Sequence, residues 1–257
     1  MKLLTGSLSR MSLPLLKWAP DPIVFVEPKE IADYKFLHPH VKFVVHPKNG
    51  MGFSGMMNQL VKYTLENGEK YFCFTDDDVL GLRARNNIEE KFERIKFEQV
   101  AEVLEKNLAL MKEAGAAQWT ISFAANSWAA KKAYDSPVGS WGIYLIDAEA
   151  IRDVGFFDEE LWIFGDWEMS ARLIKNGYKV VRTNLVTFEH KMKSMSGGAE
   201  HVYAARERVM EACERVKNRY PDACKIKFVE EHGQHEIRFN WKALLPKSPD
   251  KEAVVEI

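Results

Sequence analysis

The chain has 257 residues, of which 46% are hydrophobic, and its 36 basic residues almost balance 37 acidic residues. This composition excludes a disordered protein, and a net charge of −1 excludes a global field that would attract nucleic acid or an anionic membrane. Its 3 cysteines have no metal-ligand spacing, and their odd number argues against a disulfide framework, which favours the reducing cytosol. No apolar run is long enough to cross a bilayer, so a soluble cytoplasmic protein is expected.

The first part of the chain alternates predicted strands and helices. Strands are predicted at Lys2–Thr5, Ile23–Val26 and Val41–Val45. The glycines of the segment 50–55 do not follow a dinucleotide or P-loop pattern, so this segment is either a phosphate-approaching turn or an ordinary turn. A helix follows, with apolar residues at helical spacing: Met57, Leu60, Val61 and Leu65. This alternation predicts an α/β fold with a doubly wound, mostly parallel sheet.

The next predicted strand, Tyr71–Thr75, is aromatic and apolar, and it ends at Asp76, Asp77 and Asp78. Three adjacent carboxylates repel one another and lose hydration at a strand end, so a positive partner is expected there. A divalent cation held by oxygen ligands is the simplest partner. In open α/β sheets, ligands bind beyond the carboxyl ends of the strands.

A polar segment, Gly81–Lys96, follows the acidic residues and is predicted to be a mobile loop. Its Arg83 and Arg85 are candidates to grip a diphosphate or an acceptor backbone, and a solvated loop of mixed charge is the alternative. Apolar residues at helical spacing then predict a helix from Phe97 to Met111, and a strand is predicted at Trp119–Ala125.

Further along, the segment Gly139–Gly142 precedes a predicted strand at Ile143–Ile146, and Asp147 is predicted to cap a short helix. Asp166 and Glu168 then begin a helix among aromatic residues. Burial raises the pKa of a carboxyl group while a helix N-terminus favours its charged form, so either residue is a candidate general base. Helix capping by Asp166 is the alternative.

Two short strands, Val180–Val181 and Val186–Phe188, are predicted before His190, which is either a surface residue or a ligand that returns to the acidic strand end. Beyond the glycines at 197 and 198, apolar spacing predicts a helix from Val202 to Val216 and then a two-stranded hairpin around His232–Gly233. The tail from Pro246 is charged and predicted to be loose.

The order of these motifs resembles that of GT-A glycosyltransferases, which use nucleotide sugars. The residues that carry the resemblance are the segment 75–79, the segment 139–142, the segment 165–168 with Arg172 and Asn176, and His190. The resemblance covers about residues 1–195, which are expected to form the GT-A nucleotide-sugar-binding and catalytic domain, with residues 196–257 as a C-terminal helical and hairpin extension.

The resemblance also implies roles for individual residues. Mn²⁺ or Mg²⁺ would be bound by Asp78 and His190, with Asp76 at the ribose and the metal and Asp77 assisting. The remaining donor contacts would come from Ser7, Glu27, Gly139 and Trp141. Asp166 would be the base, although Gly165 stands where many inverting members carry Glu. This departure leaves Asp166 and Glu168 as alternatives for the base, and inversion and retention as alternatives for the stereochemistry.

The implied donor is a UDP-sugar, and glucose or a related hexose would be transferred. Within GT-A proteins the chain is similar to phage and TET-associated enzymes that modify hydroxymethylated pyrimidines in DNA, which would place it in the host cytoplasm if it is phage-encoded. DNA binding would then use local cations and aromatic residues: Arg83, Arg85, Lys131, Lys132, Lys191 and Lys193, with Trp128, Trp141 and Trp162. The alternatives are a glycan or protein acceptor, a sugar nucleotidyltransferase, and a non-catalytic nucleic-acid-binding or protein-binding module.

Overall fold

The structure is a computed structural model that describes residues 1–190, 206–230 and 233–246. Within these residues one sheet contains ten strands. They are β1 (Lys2–Ser7), β2 (Ile23–Val26), β3 (Lys42–Val45), β4 (Tyr71–Thr75), β5 (Val79–Ala84), β6 (Glu93–Arg94), β7 (Ala116–Phe123), β8 (Tyr134–Asp135), β9 (Ile143–Asp147) and β10 (Lys179–His190).

Seven helices accompany the sheet in the described part of the chain. They are α1 (Ile31–Leu37), α2 (Gly52–Glu66), α3 (Phe97–Glu113), α4 (Ala124–Ala129), α5 (Ala148–Val154), α6 (Gly165–Lys175) and α7 (Arg206–Arg219). A separate antiparallel hairpin consists of β11 (Cys224–Val229) and β12 (Gln234–Phe239), and 3₁₀ turns lie at Pro14–Lys17 and Trp241–Leu244. None of the helices in these ranges is long and apolar enough to span a membrane.

The strand order is β3-β2-β1-β4-β9-β7-β10-β5-β6, and β8 pairs with β10. The strands β1 to β4 are parallel, β9 runs in the opposite direction, and β7 and β10 return to the direction of β4. The predicted α/β class and mostly parallel central sheet are therefore confirmed. Because β4 and β10 run the same way, their carboxyl ends lie at the same edge.

Helices cover both faces of the sheet, because side chains of successive strand residues point to opposite sides. On one face, Phe72 and Phe74 pack in a cluster with α2, α5, α6 and α7. On the other face, Leu3 and Cys73 pack in a cluster with α1, α3 and the first 3₁₀ turn. The double layer of helices agrees with the predicted doubly wound arrangement.

Two predictions of local structure were wrong, and one helix was not predicted. The segment Gly81–Lys96 is not simply a loop, because β5 pairs antiparallel with β10 and buries Leu82, and β6 adds a short edge strand. The two strands predicted between Val180 and Phe188 are one strand whose pairing with β7 shifts between Thr183 and Thr187. Helix α1 was not predicted, because its one buried residue gives no apolar periodicity.

The C-terminal extension contains the predicted helix and hairpin. The apolar residues Val209, Cys213 and Val216 of α7 join the same hydrophobic cluster as Leu173 of α6, and Ile237 of the hairpin joins it too. The predicted helix start at Val202, the cations Lys191 and Lys193, the hairpin residue His232 and the tail after Pro246 lie outside the described residues. The division into domains at residue 195 stays a prediction.

Gly142, just before β9, gives a prediction for stability. Its φ is +71°, and an added Cβ would overlap the ring of Phe188, which is fully buried. Gly142→Ala is therefore expected to lower the free energy of unfolding by roughly 2 to 4 kcal/mol, which combines a left-handed backbone penalty with overpacking.

Gly68→Ala is the matched control, since Gly68 has a φ of +69° and no heavy atom would lie within 4 Å of its Cβ. We expect this control to cost about 1 kcal/mol, the backbone term alone. Urea denaturation of both variants measures the difference. Equal costs would show that Phe188 yields without penalty.

Candidate functional site

The acidic segment crosses the carboxyl edge of the sheet. It leaves β4 at Thr75, the Asp76 amide donates to the Gly142 carbonyl at 3.0 Å, and β5 then begins at Val79 beside β10. In that pairing His190 lies opposite Val79. A strand register thus brings a histidine more than a hundred residues away in sequence next to Asp78.

Asp76, Asp78 and His190 form the group that could hold a metal ion. One ligand atom from each lies within 4.8 Å of the others. The His190 Nε2 and Asp78 Oδ1 atoms are 2.8 Å apart. Two carboxylate oxygens and an imidazole nitrogen suit Mn²⁺ or Mg²⁺, which prefer oxygen ligands and, for Mn²⁺, also accept imidazole.

Asp77 is bound by Ser7, the last residue of β1, and by Arg10 in the loop that follows. Its Oδ2 accepts a hydrogen bond from the Ser7 hydroxyl at 2.5 Å, and its Oδ1 contacts the guanidinium of Arg10. The same guanidinium lies 3.0 Å from Asp78 Oδ2. Tyr34 holds this loop by bonding both Ser7 and the Arg10 backbone. Ser7 and Asp77, both predicted to contact the donor, therefore bond each other.

Arg10 and Tyr34 were not predicted as site residues. The sequence gives the expectation of a positive partner for the acidic segment, and Arg10 supplies one from a loop in which no motif marks it. A buried guanidinium needs carboxylate partners, and both partners here come from the acidic segment. Asp77 and Asp78 are thus paired with Arg10, whereas no ion pair of Asp76 is found among the described residues.

The electrostatics of the three aspartates differ accordingly. Burial, followed by repulsion from Asp78, Asp77 and Asp166, raises the pKa of Asp76 well above its usual value. Burial also raises the pKa of Asp77, to about 6, although Arg10 and Ser7 oppose it. Burial raises the pKa of Asp78 as well, but the hydrogen bond and charge of His190 and the charge of Arg10 outweigh it and leave that pKa below its usual value.

The residues present fit a divalent cation. The carboxyl group of Asp76 pays a desolvation and repulsion cost that a cation beside it would remove, and the Nδ1 atom of His190 is buried with no partner found among the described residues. A histidine that binds a metal through Nε2 usually donates Nδ1–H to an orienting partner, and no such partner is found among the described residues. The sequence prediction of a metal at this position stays a prediction, and the geometry is compatible with it.

The raised pKa of Asp76 predicts how metal affinity varies with pH. A cation must displace the proton from this carboxyl group, so Mn²⁺ affinity is expected to rise with pH over the range in which Asp76 is protonated, by roughly tenfold per pH unit for one displaced proton. Titration of free Mn²⁺ by electron paramagnetic resonance measures it. In Asp76→Asn the slope should flatten, and a wild-type affinity independent of pH would contradict the assignment.

Asp166 and Glu168, the two candidate bases, face different surroundings. Asp166 lies close enough to Asp76 for its charge to raise the pKa of Asp76. Burial raises the pKa of Asp166 itself to about 7, against the stabilising backbone N–H of Trp167, which donates to Oδ1 at 2.8 Å. Glu168 is 1% exposed and instead contacts Arg172, Arg219 and Tyr220. The structure therefore brings Asp166, and not Glu168, to the acidic cluster.

Tyr144 of β9 is a further residue that sequence reasoning missed. It pairs with Phe74 in the sheet, is fully buried, and its hydroxyl has no hydrogen-bond partner among the described residues. Burial, and then the charges of Asp166 and Asp76, raise the pKa of Tyr144 well above its usual value. An aromatic residue in an apolar strand gives no sequence signal for such a position.

The segment Gly139–Gly142 contacts both a candidate metal ligand and the C-terminal extension. The Trp141 ring centroid is 5.7 Å from that of His190, so Trp141 packs against a candidate metal ligand. Gly139 contacts Trp241, whose ring occupies the space that a side chain at position 139 would need. Both residues were predicted to bind the donor, and of the two Trp141 contacts a candidate metal ligand.

Glu27, at the end of β2, was predicted to contact the donor and lies beside the glycine-containing turn. Its Oε1 accepts a hydrogen bond from the Gly50 amide at 2.6 Å, and its Oε2 lies 3.0 Å from Lys29 Nζ. Burial lowers the pKa of the neighbouring His46, although Glu27 opposes the change. None of these contacts of Glu27 is with a candidate metal ligand.

The predicted cations for an acceptor backbone are partly engaged. Arg83 pairs with Glu189, and Arg85 donates to the carbonyls of Ile88, Ser127 and Asn184. Lys131 and Lys132 are exposed, and the side chain of Trp128 just before them is 70% exposed. Of the other two tryptophans predicted for stacking, Trp162 packs against the hydrophobic cluster.

Neither a protein-family model nor a curated protein matches the sequence. Solved structures similar to the chain include residues 1–349 of Staphylococcus aureus TarS, at 13% identity and a TM-score of 0.46, over 85% of this chain and 66% of that one. The same fragment in complex with UDP gives 13% identity and 0.46, over 83% and 65%. GalNAc-T7 with UDP, GalNAc and Mn²⁺ gives 12% and 0.45, over 86% and 48%. The chain thus spans less than two thirds of the length of each, and these similarities assign no residue role.

Proposed function

We propose that the chain is a metal-dependent glycosyltransferase of the GT-A type, which moves a hexose from a UDP-sugar to an acceptor hydroxyl. The observation that carries the proposal is the convergence of Asp76, Asp78 and His190 with ligand atoms within 4.8 Å, beside the half-buried carboxyl of Asp166. Metal-binding side chains at the carboxyl edge of the sheet suit a donor that carries phosphate groups. A neighbouring carboxyl group with a pKa of about 7 suits a general base.

The proposed cation site uses Asp76, Asp78 and His190, and Arg10 adds a fixed positive charge next to Asp78. A bound Mn²⁺ or Mg²⁺ supplies charge neutralisation for the leaving diphosphate. Asp77, held by Ser7 and Arg10, fixes the backbone between the two ligand carboxylates. Glu27, Gly139 and Trp141 are proposed to complete the donor site.

Asp166 is the proposed base. The acceptor oxygen forms a bond to the anomeric carbon, the bond from that carbon to the phosphate oxygen breaks with its electron pair leaving on UDP, and the hydroxyl proton passes to the Asp166 carboxylate. A base with a pKa near the working pH combines the correct protonation state with driving force for proton transfer. A single displacement of this kind inverts the anomeric configuration, which NMR of the product reads directly.

The proposed acceptor is a hydroxymethylated pyrimidine in DNA, which rests on the sequence resemblance and on the exposed Trp128 with Lys131 and Lys132 after it. Mass spectrometry of hydroxymethylcytosine DNA after incubation with UDP-sugars and Mn²⁺ tests it. A mass increase of one hexose supports the DNA acceptor. Donor hydrolysis without any DNA product would instead direct the search to glycan or protein acceptors.

A sugar nucleotidyltransferase is a second candidate, favoured by the contact of Arg10, in the loop after β1, with two aspartates. A thermal-shift series separates the two functions. UDP with Mn²⁺ is expected to raise Tm by roughly 5 to 10 °C at a hundredfold excess over Kd, and UDP alone by much less. A larger shift with nucleoside triphosphates would favour the nucleotidyltransferase, and no shift with any nucleotide would contradict both enzymes.

A further inference from the structure

The carboxylate of Glu168 is almost completely buried, at 1% exposure, yet it lies within the first turn of α6 and three side chains contact it. Arg172 approaches from the same helix, with its Nε 3.2 Å from Oε1. Arg219 and Tyr220 approach from the C-terminal extension, with Arg219 Nη1 3.2 Å and the Tyr220 hydroxyl 3.0 Å from Oε1. A buried carboxylate with this number of donors is held in one orientation.

Loss of any one charged side chain from this network is expected to be costly in free energy. Glu168 compensates two guanidinium groups, and the loss of one partner from a buried pair leaves an uncompensated charge. Arg172 also donates to the carbonyls of Gly155 and Phe156, at 2.9 and 2.7 Å, just after α5. The network therefore joins the end of α5, the first turn of α6 and the end of α7.

A row of aromatic rings makes a second connection between the same elements. Tyr220 contacts Phe239 with centroids 5.8 Å apart, Phe239 stacks on Trp241 at 4.5 Å, and Trp241 contacts Trp167 at 6.3 Å. Trp167 stands between Asp166 and Glu168 in the sequence, and its amide donates to Asp166. The two residues that follow Asp166 along the helix, Trp167 and Glu168, are thus bound to the C-terminal extension.

We infer that Glu168, Arg219 and Tyr220 form a clamp that positions the first turn of α6, and with it the Asp166 carboxyl, for proton transfer. Glu168 is then a positioning residue, while Asp166 takes the proton. The catalytic part of this inference rests on the proposed function, whereas the clamp itself is a property of the free protein. A displacement of a reacting group by about 1 Å can cost roughly a hundredfold in rate.

The test compares Arg219→Gln, Tyr220→Phe and Glu168→Gln with Arg215→Gln as the matched control. Arg215 lies one turn before Arg219 on α7 and pairs with Asp158 and Glu160, without contact to Glu168. Hydrogen–deuterium exchange of the full chain without ligands is read at the α6 amides of residues 167–170. The three clamp variants are expected to exchange faster there than both the wild type and Arg215→Gln.

Steady-state kinetics then separate positioning from folding. Arg219→Gln is expected to lower kcat by roughly 10- to 100-fold with little change in KM for the donor. Arg219→Lys, which restores a positive charge, is expected to recover part of kcat. A uniform loss of stability would instead change the exchange of α3 and α6 together and would not respond to the charge.

The outcomes are distinct. Unchanged exchange at residues 167–170 in all three clamp variants would overturn the clamp, whatever the activity. Faster exchange there together with a wild-type kcat would overturn the positioning role. If the wild-type protein transferred no sugar with any UDP-sugar while the exchange still differed, the proposed function would fail and the clamp would stand.

Discussion

Asp78→Asn is expected to reduce metal-dependent turnover of a UDP-sugar by roughly a hundredfold to a thousandfold, the scale seen when one group that stabilises developing charge is removed. Asp78 contacts both His190, at 2.8 Å, and Arg10, at 3.0 Å, and so joins the candidate metal ligands to the loop after β1. An amide keeps the shape of the side chain but removes the negative charge that a divalent cation requires.

Turnover of the donor to UDP, with and without Mn²⁺, measures this effect. Asp222→Asn, at an exposed position in the turn after α7, is the control for a lost carboxylate and is expected to keep wild-type turnover. Thermal melts without metal show whether Asp78→Asn still folds. A folded Asp78→Asn protein with wild-type metal-dependent turnover would remove the cation from this edge of the sheet.

Asp166→Asn is expected to lose sugar transfer by roughly 10²- to 10⁴-fold, the usual contribution of a general base. UDP and Mn²⁺ binding should change little, since Asp166 is not among the three ligands that converge. Calorimetric titration with UDP and Mn²⁺ gives the binding, and product formation gives the transfer. An active Asp166→Asn enzyme beside an inactive Glu168→Gln enzyme would transfer the base role to Glu168.

The pH dependence of transfer has a definite sign. Burial raises the pKa of Asp166 to about 7, and a base acts only when it is deprotonated, so the rate should fall as the pH drops below that value and level off above it. A bound cation lowers the midpoint, because positive charge favours the carboxylate. A rate that rises toward acidic pH would contradict Asp166 as the base.

The sheet and the acidic strand end could be predicted from sequence because they depend on local patterns. A short apolar run that stops at three carboxylates indicates both a buried strand and a charged site. The rest depends on contacts between distant segments. His190 reaches Asp78 through the register of β10 with β5, and β5 has no alternation of apolar and polar residues from which this pairing could be predicted.

The distinction between Asp166 and Glu168 also required the structure. Both stand at the start of one helix among aromatic residues, and their neighbours in the sequence are the same. What separates them is the position of Arg219 and Tyr220, which reach Glu168 from a helix more than fifty residues later. Arg10 was missed for the same reason, since its partner Asp77 lies 67 residues later in the sequence and its second partner, Asp78, directly follows Asp77.

The contacts of Glu168 with Arg219 and Tyr220 bear on how such a protein can diverge. A terminal extension is commonly treated as a module that can be exchanged to redirect an enzyme toward a new acceptor. If the inferred clamp acts on the proposed base, an exchanged segment must reproduce one guanidinium and one phenol at fixed places to keep the rate of transfer. The clamp thus predicts that a change of specificity and retention of rate are linked, and that directed-evolution libraries of the extension keep more active members when positions 219 and 220 are fixed.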